Sequence, residues 1–124
     1  MKKILALGLC ALTSACAHQT LPQSQHSSES SSIKVFKSDQ SKQCEDKGIA
    51  PDDMRQELIQ VGVDVLCSHK AYDGMMHASV CGGATGAINV FVIHRDNLGD
   101  AKALGYMPVS TLRDYQDVAC VQQK

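Results

Sequence analysis

The chain has no tryptophan and only five aromatic residues among 124, Phe36, Phe91, Tyr72, Tyr106 and Tyr115. This excludes a core built on stacked rings. It also lacks any charge excess: twelve Lys and Arg face thirteen Asp and Glu, a net charge of −1. Without a basic cluster beyond the scattered Lys34, Lys37, Lys42 and Lys47, nucleic acid is not an expected partner. There is no C-x-x-C pair, which argues against a thiol oxidoreductase and a closed zinc site. Nor is any apolar run long enough to span a bilayer. The longest, Ile4 to Leu12, lies at the start.

That first segment is the most specific signal present. Lys2 and Lys3 precede the apolar run, then come Thr13, Ser14, Ala15 and Cys16. A basic start, a short apolar stretch and small residues before a cleavage point describe a secretory signal. The cysteine directly after Ser-Ala resembles the lipobox of bacterial lipoproteins, with Thr13 where that pattern usually carries leucine. The resemblance implies removal of residues 1–15 and lipidation of Cys16 by acyl chains such as palmitate. Ala17 in the next position implies sorting to the outer membrane, facing the periplasm. Without the signal, ten basic residues remain against thirteen acidic ones.

Residues 16–32 follow as the lipidated start and a polar, Ser- and Gln-rich tether. Such a composition buries too little apolar surface to order itself. As a flexible coil of about 16 residues it would span roughly 22 Å.

The remaining unit, 33–124, carries Cys44, Cys67, Cys81 and Cys120. Four cysteines in a small exported domain read as two disulfides, with three connectivities open. The domain is small enough for hydrophobic burial alone to be marginal. Each bridge adds about 2–4 kcal/mol, so reduction is expected to destabilise it severely.

Strand and helix signals alternate. Ile33–Phe36 reads as a strand. Pro51 opens a helix with Asp52 and Asp53 in its first turn and Met54, Leu58 and Val61 on one face, and Gly62 closes it. Val63–Cys67 reads as a second strand, and Ala87–Ile93 as a central one, apolar on both faces. Asn97 and Asp100 suggest a capping box for a short helix presenting Leu98, Ala101 and Leu104. Gly105 ends that helix, and Tyr106–Val109 reads as an edge strand. Thr111 and Asp114 suggest a last helix presenting Leu112, Tyr115 and Val118. The simplest assembly is α+β: a ferredoxin-like βαββαβ antiparallel sheet with helices on one face. That topology sets Cys44 beside Cys81 and leaves Cys67 to reach Cys120.

Three segments invite chemistry. Cys81-Gly82-Gly83-Ala84-Thr85-Gly86 is glycine-rich, but a phosphate loop needs Lys and Ser/Thr where Ala87 and Ile88 stand. It reads instead as a hairpin connection with positive-φ glycines beside a disulfide. Met75, Met76, His77 and His69 offer soft copper donors, although adjacent methionines more often fill a gap under a loop. His94-Arg95-Asp96 joins a base, a cation and a carboxylate with no nucleophile in any recognisable motif. No catalytic residue, metal or cofactor is expected from these patterns.

The plan of lipobox cysteine, polar tether and four-cysteine domain is similar to the Rcs-pathway envelope-stress sensor lipoprotein. The doubled strand–helix–strand order resembles the SPOR peptidoglycan-binding domain, with an insertion carrying Cys44 and without its aromatic sheet face. Both are likenesses of architecture, and fold does not fix function. The tether, the disulfides and the lack of a catalytic constellation lead to the expectation of a non-catalytic outer-membrane lipoprotein binding an envelope protein or peptidoglycan. The alternative is a small periplasmic enzyme or metal-handling protein using His69, His77 and His94.

Overall fold

A computed structural model describes residues 31–120. The signal segment, Cys16 and nearly all of the tether therefore lie outside the described residues. The elements run β1 (Ser32–Ser38), α1 (Pro51–Gln60), β2 (Val65–Tyr72), β3 (Ala87–His94), α2 (Leu98–Ala103) and β4 (Met107–Pro108), with 3-10 turns at Arg95–Asn97 and Val109–Thr111. All pairings are antiparallel and the sheet order is β2-β3-β1-β4. This is the ferredoxin-like α+β arrangement.

Strand alternation assigns each residue a face. Val35 pairs with Phe91, and Ile33 with Ile93. Together with Met54 and Leu58 of α1, Val63, Ala101 of α2 and Tyr106, Val35, Phe91 and Ile93 form the buried core. Phe91 and Tyr106 meet edge-to-face, with centroids 5.5 Å apart. Tyr106 is fully buried, and its hydroxyl donates to Met54 O at 3.1 Å and Glu57 Oε2 at 2.9 Å. Lys37 Nζ donates to the same carboxylate and sits 4.9 Å from the Tyr106 ring centroid.

The opposite face of the sheet carries Lys34, Cys67, His69, Ile88, Val90 and Val92. Here the expected last helix is absent. Among the described residues no helix follows Thr111, and residues 112–120 cross this face as an irregular strap. Thr111 Oγ1 donates to Pro108 O and so does not cap a helix. Tyr115 reaches His69, Lys34 donates to Asp117 and to Val118 O, and Cys120 is bridged to Cys67. Contacts to two different strands hold the strap extended where a helix would turn back on itself.

Four further expectations need correction. Val61 follows the end of α1 and is exposed, so only Met54 and Leu58 of its stripe are buried. β2 starts at Val65 and runs on to Tyr72, because pairing with β3 outweighs the polar sequence of that stretch. Asn97 makes no side-chain cap, since the 3-10 turn Arg95–Asn97 leads straight into α2. Met75 and Met76 fill no gap; both lie at the surface. Pro108 does sit on an edge strand, opposite Val35.

Candidate functional site

β1 leaves the sheet, β2 ends and β3 begins at one pole of the domain. A cleft of about 600 Å³ opens there, lined by Asp39, Lys70, Tyr72, Thr85, Asp114 and Val118 among others. That volume falls in the range of small-ligand sites.

Its floor is polar and fully organised. Asp39 follows β1 on the helix side and is entirely buried. Its Oδ1 accepts from Ser41 N at 2.8 Å and Ser41 Oγ at 2.6 Å, and its Oδ2 from Lys70 Nζ at 2.8 Å. Burial raises the Asp39 pKa, but the bonds from Lys70 and Ser41 outweigh it and hold the carboxyl below its ordinary value. Ser41 Oγ also meets Thr85 Oγ1, joining the β1–α1 loop to the glycine-rich loop. Gly48 backs Asp39 at φ +77°, where a Cβ would strike the carboxylate at 2.7 Å.

Each wall of the cleft carries a disulfide nearby. Cys44 in the β1–α1 loop is bridged to Cys81, with Cα atoms 5.0 Å apart. Gln43 N donates to Gly83 O, and Gly82 N to Gln43 O, closing the same seam. Gly82 and Gly86 do take positive φ, as a connection beside a disulfide requires. The other wall is the strap, through Asp114, Gln116 and Val118, and its end is bridged from Cys120 to Cys67 with Cα atoms 6.1 Å apart.

The three histidines are scattered. His77 Nε2 bonds Asp73 Oδ2 at 2.8 Å in the β2–β3 connection. His69 lies beneath the strap, its Nδ1 buried without a partner and its Nε2 3.4 Å from Tyr115 OH. Burial, and then the charge of Lys34, lower its pKa against a smaller opposing effect of Asp117. His94 is exposed at the far end of β3. It lies four residues beyond Val90, the partner of His69, or about 13 Å at strand rise. Among the described residues no three His, Cys, Asp or Glu side chains gather as a metal-holding group.

Asp39, Ser41, Lys70 and Thr85 gave no sequence signal as a set. The one available hint is Asp39 followed two residues later by Ser41, a pattern for a side-chain-closed turn. No family model, curated protein or solved structure matches this chain.

Proposed function

We propose that this chain is a non-catalytic lipoprotein, anchored in the outer membrane through Cys16, whose periplasmic domain binds an envelope protein or peptidoglycan through the cleft. The observation that carries the reading is the cleft itself. It combines an exposed Tyr72 ring, apolar Ala71, Ala87 and Val118, and the polar groups of Lys70, Asp114 and Gln116. Sites that take organic ligands combine an apolar lining with a few placed polar groups.

Its position supports the reading. The chain enters the domain at the Ser32 end of β1, while the cleft lies beyond Ser38, about 20 Å away at strand rise. A tether entering at Ser32 leaves the opposite pole clear of the anchoring surface. Asp39 is wholly committed to Ser41 and Lys70, which suits a rigid floor better than a proton-transfer group.

The test places a photocrosslinking residue at Tyr72 or at Val61 in the full-length protein in cells. Val61, at the end of α1 beside the start of β2, is an exposed control away from the cleft. A defined adduct, or attachment to sacculi, from position 72 alone is expected. Equal capture at both positions, or none at either, overturns the reading. Cys16→Ser should move the protein from the membrane to the soluble fraction.

A further inference from the structure

The two bridges and the hydrophobic core divide the domain into separable parts. Every member of the core cluster comes from the helix side of the sheet or from the elements covering it, and none belongs to the strap. Neither bridge closes that core. Cys44–Cys81 joins two loops at the cleft, and Cys67–Cys120 fastens the strap to the opposite face.

We infer that the cleft is a redox-conditional site: oxidised, the chain has both walls, and with its bridges reduced it loses the cleft but, in place of the general destabilisation expected from its size, keeps the helix-side core, whose cluster contains no bridged cysteine. This rests on the binding reading only for its consequence, that ligand is held by the oxidised form alone.

The first wall depends on its bridge at the Cys44 end, because the side-chain ties of the loop, Ser41 to Thr85 and Lys70 to Asp39 and Lys47 O, lie at the cleft floor and leave the tip to a few backbone bonds. Cys44 itself has φ +66°, a left-handed conformation that costs a non-glycine residue energy and persists where its surroundings hold it. The loop's cross-seam backbone bonds are those of Gln43, Gly82 and Gly83, with one isolated bridge between Lys42 and Ala84. The strap is still less self-supporting. Beyond Leu112 it has no regular secondary structure among the described residues, and its side-chain ties are few: Lys34 to the exposed Asp117, and Tyr115 to the partly buried His69. Exposed ion pairs contribute little by themselves.

The chemistry is ordinary thiol–disulfide exchange with a dithiol reductant. Cys44 and Cys81 are both exposed, whereas Cys67 is buried and Cys120 partly open. For the second bridge a reductant thiolate therefore attacks Cys120 Sγ. Cys67 leaves as a thiolate and takes a proton. The reductant's second thiol then attacks the mixed disulfide, releasing Cys120 and closing the reductant's own disulfide. Two electrons and two protons reach the chain per bridge.

The test uses two full-length double variants, Cys44→Ser with Cys81→Ser and Cys67→Ser with Cys120→Ser, each keeping the other bridge. In the first, amide exchange at Gln43, Gly82 and Gly83 should accelerate at least tenfold. In the second, trypsin should cut after Arg113 in the strap at least tenfold faster. In both, amides of Val35, Phe91, Ile93 and Leu58 should stay at least a thousandfold slower than in the unfolded chain. Wild type titrated with dithiothreitol should show each wall loosening in step with a two-hydrogen mass gain per bridge. Walls unchanged by either substitution overturn the inference, and so does loss of core protection. None of these readouts involves a ligand, so the binding proposal can fail independently.

Discussion

Asp39 Oδ2 accepts from Lys70 Nζ at 2.8 Å, with the carboxylate wholly enclosed and the ammonium about half exposed. This pair ties the β1–α1 loop to the edge strand β2 and sets the cleft floor. Asp39→Asn keeps the shape but removes the charge that Lys70 answers. Breaking a buried pair from one side costs about 3–5 kcal/mol, and the access of Lys70 to water moves the expectation to about 2 kcal/mol. Urea unfolding checks it. The acid limb should change as well. The Asp39 pKa is lowered on folding, so its contribution is complete above the unfolded carboxyl value of 3.8 and is lost as pH falls through the lower folded value. The variant should lose that part of the acid dependence.

A second acid-sensitive point lies under the strap. The folded-state pKa of His69 is held below 6.5, by burial first and by Lys34 second, so protonation favours the unfolded chain. The contribution of neutral His69 is complete above pH 6.5 and falls away as pH drops below it. Thermal melts from pH 7.5 to 5 should show a falling midpoint in the wild type and a shallower slope in His69→Gln. Parallel slopes would show that His69 does not titrate against folding.

Gly74 and Gly62 separate backbone strain from contact. Both hold positive φ, +79° and +84°, and both therefore charge alanine about 1 kcal/mol for a left-handed conformation. A Cβ on Gly62 meets open space, whereas one on Gly74 would collide with the Asp114 backbone in the strap. Gly62→Ala should cost about 1 kcal/mol and leave the strap unchanged. Gly74→Ala should cost about 1–3 kcal/mol more, as overpacking does, and should open the strap to trypsin at Arg113. Equal costs would show that the strap yields freely at Asp114.

What the sequence discloses follows from how locally each feature is determined. Ala87–Ile93 is apolar on both faces because helices cover one side and the strap the other, and its composition alone marks it as central. Pro51 with Asp52 and Asp53 marks the start of α1 through forces acting within one turn. The strap is not legible in the sequence because Leu112, Tyr115 and Val118 have helical spacing, while the ties to Lys34, His69 and Cys67 that extend it come from residues about fifty to eighty positions earlier. The cleft was invisible for a similar reason. Asp39, Lys70, Thr85 and Asp114 share no motif and meet only after the sheet has formed.

The core makes the sharpest contrast between Leu58 of α1 and Val61 just beyond that helix. Leu58 has no exposed surface and packs among Val35, Phe91 and Tyr106, while Val61, three residues on, is about half exposed past the end of α1. Leu58→Ala removes buried methyl groups and leaves a cavity, at a cost of about 2–5 kcal/mol. Small domains hold about 5–15 kcal/mol in total, so the variant should lose much of its urea resistance. Val61→Ala should stay within about 0.5 kcal/mol of wild type, as exposed substitutions do. Tyr106→Phe lies between them. It keeps the ring against Phe91 but deprives Met54 O and the Glu57 carboxylate of a donor, and should cost about 1–3 kcal/mol. Urea midpoints ordered Val61→Ala, Tyr106→Phe, Leu58→Ala from most to least stable would bear this out. A Val61→Ala loss as large as that of Leu58→Ala would mean that Val61 is covered in solution and that this end of α1 packs against something beyond the described residues.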